Sequence, residues 1–321
     1  LNILQGDEQM TETLAIGSFS EVDETALQGD LGARIVDSLD VAAALHEESR
    51  GAVRAIAFKG HTRFDGALMD LFPALGLIAN YGVGYDAINV ADAQTRGIAV
   101  TNTPDVLNDD VADLAVGMMI AQCRRMVQGD HHARSGAWAA GQAFPLNRKM
   151  SGGRAGILGL GRIGREIADR LAAFKMDLHY WSRIEKDTPG WTYHDDPASL
   201  ARAVDFLVVA LVGGPETESM VSAEVLDALG PEGVLVNISR GSTVDEGALL
   251  DRLEDGRLGG AALDVFRSEP DLDPRFAALD SVILQPHQGS GTHVTRAAMG
   301  RLQRDNVAAF MAGKPLLTQV A

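Results

Sequence analysis

Short runs of Val, Ile and Leu alternate with helix-period stretches along almost the whole chain, and this alternation limits the fold more than any other feature of the sequence. It is the signature of stacked βαβ units built on a parallel sheet. Two series are visible. The first predicts strands near 12–17, 33–37, 54–58, 75–79 and 98–101, with helices near 20–28, 39–46 and 87–95. The second predicts strands near 154–158, 177–181, 205–212, 233–238, 260–265 and 281–285, with helices near 162–174, 197–203, 222–229 and 245–255. One long helix is expected from Asp109 to His132 between the two series, and another from about Thr292 to Ala312 at the end.

At 321 residues, 46% of them hydrophobic, the chain can fill two cores. The last helix has no strand partner of its own and is expected to return to the first series. The expected organisation is therefore a discontinuous domain of residues 1–105 and 290–321, with a second domain, 106–289, inserted in it. Residues 109–150 hold the connecting helix and a Gly-rich excursion. The chain begins Leu1 and reaches a Met only at Met10, and no function is assigned to the first nine residues.

Gly159-Leu160-Gly161-Arg162-Ile163-Gly164 follows the apolar run Arg154–Leu158 and opens a helical pattern. That frame is the one in which three glycines cradle a dinucleotide pyrophosphate. Gly159 allows the tight turn, Gly161 the close approach of backbone amides, and Gly164 the packing of helix on sheet, while the helix N-terminus supplies positive charge. The expectation is an α/β chain of two doubly wound parallel-sheet domains, a Rossmann-type cofactor domain inserted in a flavodoxin-like substrate domain. About 20 residues further on, an NAD site would carry an acid for the ribose hydroxyls. Here the chain reads Trp181-Ser182-Arg183. Ser182 and Arg183 can hold a 2′-phosphate, with Arg162 or Lys186 as a second cation, so NADP(H) is preferred and NAD(H) kept as the alternative. The competing reading makes Arg183 an ordinary solvated residue.

Three candidates for chemistry lie just past strand ends of the second series, where open α/β sheets bind ligands: Arg240, Glu269 and His287. The stretches around them, Asn237-Ile238-Ser239-Arg240-Gly241, Leu263-Asp264-Val265-Phe266-Arg267-Ser268-Glu269-Pro270 and Pro286-His287-Gln288-Gly289, resemble the three signatures of the D-isomer-specific 2-hydroxyacid dehydrogenases. The similarity runs from about Ile78 to the C-terminus. Asn80–Asp86 and Thr101–Leu107 resemble the glyoxylate/hydroxypyruvate reductase branch, including its hydroxyphenylpyruvate-reducing relatives.

The resemblance implies reduction of a small 2-keto acid to the D-2-hydroxy acid. His287 would give the proton, Glu269 beside it would favour the charged imidazolium, and Arg240 would bind the substrate through two oxygens. It also implies that the amides of Val83 and Gly84 receive the substrate carboxylate, that Asp264 orients the nicotinamide amide, and that Ile238 and Gly289 border the cofactor. Leu211-Val212-Gly213-Gly214-Pro215 departs from the family's usual Pro-Leu-Thr-like turn, which leaves the cofactor contacts of that loop open. Trp138, in the excursion Ser135–Phe144, would lie on a homodimerisation arm at the neighbouring subunit's active-site mouth, with simple packing as the alternative.

The other histidines, His46, His61, His131, His132, His179, His194 and His293, are read as ordinary core or surface residues. Asp245 and Glu246 are read as a helix's first turn, where negative charge is favourable. A net charge of −16 makes nucleic acid an unfavourable partner and gives added weight to any arginine beside a site. The lone Cys123 excludes an intrachain disulfide and a multi-cysteine metal site, no metal is expected, and a reducing, cytoplasmic compartment is favoured. No secretory signal or membrane span is expected. The main competitor to an enzyme is a dinucleotide-sensing binding protein on the same fold.

Overall fold

The computed structural model describes residues 10–320, and the first nine residues, to which no function is assigned, lie outside the described range. The chain divides into two compact units, one formed by the residues up to Val106 together with those from His293 onward, the other by Leu107–Thr292.

The first unit is a five-stranded parallel sheet in the order β2-β1-β3-β4-β5. Its elements are β1 (Thr13–Ile16), α1 (Glu21–Leu31), β2 (Arg34–Val36), α2 (Leu39–Ala43), α3 (Glu47–Ala52), β3 (Ala55–Phe58), α4 (Gly66–Met69), β4 (Leu77–Asn80), α5 (Val90–Thr95) and β5 (Ala99–Thr101). The order is that of a flavodoxin-like sheet. Local chemistry sets the helix ends. The Ser20 and Ser38 hydroxyls accept N–H bonds at the starts of α1 and α2, and Gly32 closes α1 in the left-handed region.

The final helix, His293–Met311, belongs to this unit. Its Gln303 is 2% exposed and donates to the carbonyls of Phe58 at 3.2 Å and Ala79 at 2.8 Å. A buried amide satisfied in this way fixes the helix against β3 and β4 at a net gain of roughly 1 kcal/mol per bond.

The second unit holds α6 (Asn108–Cys123), α7 (Met126–Arg134), β6 (Arg154–Leu158), α8 (Arg162–Ala173), β7 (Asp177–Trp181), β8 (Thr192–His194), α9 (Pro197–Ala203), β9 (Phe206–Val209), α10 (Ala223–Leu229), β10 (Val234–Asn237), α11 (Glu246–Glu254), β11 (Gly260–Leu263) and β12 (Val282–Leu284). Its seven strands run parallel in the order β12-β11-β10-β9-β6-β7-β8. The order reverses between β6 and β9, which makes this a doubly wound Rossmann sheet with its switch point there. Leu207, Val209, Leu235, Ala261 and Leu263 build the core on one face of this sheet. Asp245 caps α11 through the Ala248 N–H, and Glu246 begins the helix.

Three expectations about elements are corrected. The single helix over 109–132 is two, because Arg125 takes φ 47° and breaks it after Cys123. The Cys123 carbonyl so released accepts the Arg148 N–H at 3.1 Å, and Arg125 and His132 pack on Phe144, which folds the excursion back over α7. The helix expected at 39–46 ends at Ala43, and a separate α3 follows. Strand β8 adds to the expected set, since Thr192-Tyr193-His194 is too short to show a period. Cys123 is buried as expected, and burial pushes its thiol pKa up.

On the β7–β8 edge, His179 Nδ1 lies 3.0 Å from His194 Nε2, while His194 Nδ1 lies 3.0 Å from the Ser199 hydroxyl. Desolvation and then the charge of His179 lower the His194 pKa, against the opposite pull of Asp196 and Asp195. The unfolded chain therefore takes up a proton at a higher pH than the native one. Stability is full above the ordinary histidine pKa and falls as pH drops through it. Thermal melts between about pH 7.5 and pH 5.5 should show Tm declining in the wild type and a flatter profile in His194→Gln. Parallel profiles would contradict this.

Candidate active site

Site residues gather at the carboxyl ends of the strands in each unit. In the second unit β6 runs into Gly159, which holds φ 105°. A Cβ there would sit 2.6 Å from the Ala210 carbonyl oxygen, and one on Gly164 would sit 2.2 Å from the Gly159 oxygen. These two glycines close the turn and seat α8. Gly161 differs, because a Cβ on it would meet nothing within 4 Å. Gly161 is also the N-cap of α8, where no side chain accepts the helix's first N–H groups. Open space beside uncapped amides and the positive end of a helix fits a pyrophosphate. Leu160 is buried, Ile163 half-buried and Arg162 exposed around this cradle.

The loop after β7 is held by Tyr180, Arg165 and Trp191, which the sequence reading did not single out. The Tyr180 hydroxyl accepts the Lys186 N–H at 2.9 Å and donates to its carbonyl at 3.0 Å. Arg165 lies 4.9 Å over the Trp191 ring and donates to the Asp187 carbonyl. Ser182 is buried, with its hydroxyl donating to the Ile184 carbonyl, whereas Arg183 is exposed at the mouth of the loop. The serine thus fixes the turn that presents the arginine.

Arg240 follows β10, and its carbonyl accepts from Asn237 Nδ2 at 3.0 Å and from the Thr243 hydroxyl at 2.6 Å. Buried Ile238 precedes it. The Ser239 hydroxyl donates 2.7 Å to the Leu211 carbonyl, tying the divergent 211–215 loop to the strand that carries Arg240. A Cβ on Gly241 would fall 1.9 Å from the Phe266 carbonyl carbon, so only glycine lets the Arg240 turn touch the segment leading to Glu269.

His287 and Glu269 are brought together. Glu269 accepts the Phe266 N–H through Oε1 at 2.8 Å and meets His287 Nδ1 through Oε2 at 2.7 Å. With Nδ1 committed to the carboxylate, proton exchange with a substrate falls to Nε2. His287 holds φ 54°, a left-handed conformation unusual for a non-glycine residue. Asp264 enforces it. Only 1% exposed, Asp264 takes the N–H groups of Gln288 at 2.6 Å and Gly289 at 2.8 Å on its carboxylate, while its carbonyl accepts the His287 N–H at 3.0 Å. Burial raises the Asp264 pKa, and the two N–H groups and His287 hold it back. The carboxylate expected to orient the nicotinamide amide thus anchors the histidine turn.

In the first unit, Val83 and Gly84 lie on the loop after β4. Asn80 Nδ2 donates to the carbonyls of Gly82 at 3.1 Å and Gly84 at 2.9 Å, and Asn102 Nδ2 donates to that of Val83 at 3.0 Å. Gly82 N–H in turn donates to the Thr103 hydroxyl at 3.0 Å. The carbonyls of residues 82–84 are thereby tied into the protein, which fixes the peptide planes that carry the Val83 and Gly84 N–H groups. Sequence reading flagged both stretches, Asn80–Asp86 and Thr101–Leu107, without assigning this bracing role to Asn80 and Asn102. Trp138, back in the second unit, is 73% exposed, and Leu146 is wholly exposed.

A dinucleotide cradle at a Rossmann switch point, with an acid–base pair at neighbouring strand ends, defines a nicotinamide-dependent oxidoreductase. Residues 116–289 match the NAD binding domain of the D-isomer specific 2-hydroxyacid dehydrogenases. Hydroxyphenylpyruvate reductase of Plectranthus scutellarioides is 46% identical over 277 residues, covering 86% of this chain and 87% of that one. Among solved structures, a 2-hydroxyacid dehydrogenase from Ketogulonicigenium vulgare superposes with a TM-score of 0.89 at 49% identity, covering 97% of this chain and 98% of that one. An NADPH-dependent glyoxylate/hydroxypyruvate reductase from Sinorhizobium meliloti, in complex with NADP and malonate, gives 0.92 at 40% identity over 97% of each chain. The chain belongs to the D-isomer specific 2-hydroxyacid dehydrogenase family.

Proposed function

We propose that this enzyme reduces a small 2-keto acid, with glyoxylate and hydroxypyruvate as leading substrates, to the D-2-hydroxy acid at the expense of NADPH. The observation that carries this reading is the 2.7 Å pair of His287 and Glu269, in the same unit as the glycine cradle. The bound nicotinamide supplies the hydride. His287 Nε2 gives the proton that the developing alkoxide needs, and Glu269 holds the imidazole in orientation and stabilises its charged form. Arg240 polarises the keto group and binds the carboxylate, and the Val83 and Gly84 amides receive the carboxylate as well. Ile238, Asp264 and Gly289 border the nicotinamide end.

The cofactor preference rests on Arg183, an exposed cation where an NAD site would carry an acid. Arg183→Ala should raise KM for NADPH by about tenfold or more while KM for NADH changes little. Equal effects on the two would refute the assignment. NADPH and NADH oxidation with glyoxylate, hydroxypyruvate, pyruvate and 4-hydroxyphenylpyruvate tests the reading as a whole. Fast NADPH-linked turnover of the first two supports it. Preference for the aromatic acid would favour the activity named for the 46% identical relative, and binding without turnover would favour a sensor.

Among the described residues no helix is long and apolar enough to cross a membrane. The exposed Trp138 and Leu146 support a homodimerisation arm, with Trp138 offered to the neighbouring subunit's substrate.

A further inference from the structure

We infer that Lys59 and Arg296 form a second anion-recognition site, on the first unit, that selects 2-keto acids carrying another acidic group at the far end. The inference rests on the reductase reading. Its starting point is the sheet order β2-β1-β3-β4-β5, in which the chain leaves β1 toward one edge and β3 toward the other. The carboxyl ends of β1 and β3 therefore flank a switch point, the place where open α/β sheets form a crevice.

Three consecutive strands of the sheet each deliver one residue to that end. Phe19 follows β1, Lys59 follows β3 and Tyr81 follows β4. The Lys59 N–H donates to the Ile16 carbonyl and the Tyr81 N–H to that of Phe58, each at 2.8 Å, so the backbone positions are fixed. Lys59 Nζ lies 4.8 Å from the Tyr81 ring centroid and 5.5 Å from that of Phe19. The two rings meet edge to face. They hold the ammonium by their faces and leave its N–H groups directed at no anion.

Arg296, on the final helix, brings a second positive charge. Its carbonyl accepts the Tyr81 hydroxyl at 3.0 Å. Burial first, and then the charge of Arg296, lowers the Lys59 pKa, with Asp23 pulling the other way. Asp23 is itself spent, since it takes Arg304 at 2.9 Å and the Ser20 hydroxyl at 2.9 Å. Among the described residues no carboxylate comes within ion-pair distance of Lys59 or Arg296. With Asp23 already bonded to Arg304, the repulsion between the Lys59 and Arg296 charges is a cost that a bound anion offsets.

Only one residue, Gly82, separates Tyr81 from Val83, which keeps these positions within about 7 Å of each other along the chain. One loop therefore serves both the substrate carboxylate, through Val83 and Gly84, and a second acidic group near Tyr81. That spacing suits a four- or five-carbon 2-keto diacid. A phosphate ester of a keto acid offers the same anionic oxygens.

The test compares kcat/KM with NADPH for acceptors matched in length: oxaloacetate against 2-oxobutyrate, 2-oxoglutarate against 2-oxovalerate, and phosphohydroxypyruvate against hydroxypyruvate. Wild type should favour the charged member of at least one pair, and which pair responds tells carboxylate from phosphate. Lys59→Met keeps the packing on the rings and removes the charge. It should cut the charged-to-uncharged ratio by about tenfold or more, and Lys59→Arg should keep it. No preference in wild type, or an equal loss for both members in Lys59→Met, would overturn the proposal. A malonate titration of the cofactor-free protein, followed by NMR of the Lys59 side chain, separates the two readings. Malonate shifts with no keto acid turnover would leave the anion site standing and sink the reductase reading. Glyoxylate turnover without malonate shifts would do the reverse.

Discussion

His287→Asn should lower kcat for the preferred keto acid by about 10²- to 10⁴-fold, the range a positioned general acid contributes, with the Kd for NADPH little changed. Asn is the better replacement than Ala because position 287 holds φ 54°, a left-handed conformation that Asn tolerates. The turn should persist through Asp264, whose bonds go to the backbone of residues 287, 288 and 289 and not to the imidazole. Loss of the proton donor is then read without loss of the loop. Glu269→Gln should give a smaller fall in kcat, since a neutral amide still reaches Nδ1 and no longer balances the imidazolium charge. Stopped-flow rates and cofactor fluorescence titrations check both variants. An unchanged kcat in His287→Asn would remove His287 from the chemistry.

The second large effect lies in the glycine loop, where two substitutions that look alike should part company. At Gly164 a methyl would sit 2.2 Å from the Gly159 oxygen, so Gly164→Ala has to move α8 or the turn. Overpacking of this kind costs about 1–3 kcal/mol and sometimes more, and should lower both Tm and NADPH affinity. At Gly161 the same methyl meets nothing within 4 Å of the protein, and the residue's φ of −87° suits alanine. Gly161→Ala should therefore leave Tm within about 2 °C and weaken NADPH by about tenfold or more, because the added carbon occupies pyrophosphate space. Differential scanning calorimetry with and without NADPH separates the two. Equal Tm losses without cofactor would contradict the distinction.

The strand alternation, the glycine triplet and the three strand-end residues were legible because each has a local signature, whether a period, a spacing or a turn chemistry. What stayed hidden was made by partners distant in sequence. The break at Arg125 follows no Gly or Pro, and it is matched by Arg148 capturing the Cys123 carbonyl more than 20 residues away. The role of Asp264 shows the same limit. Its place at a strand end was plain, but its service to the His287 turn depends on β11 and β12 lying side by side. The bracing of residues 82–84 by Asn102 needs the parallel pairing of β4 with β5. Lys59 gave no signal at all, because its setting is composed of residues 19, 81 and 296.

The central claim is hydride transfer to the keto carbon with proton delivery from His287. Its most direct test is reduction of hydroxypyruvate with NADPH carrying deuterium at the transferable position of the nicotinamide, followed by mass and chiral analysis of the product. The account predicts glycerate of the D configuration with one deuterium at C2. An L product, a product without deuterium, or binding of the cofactor with no product at all would contradict it.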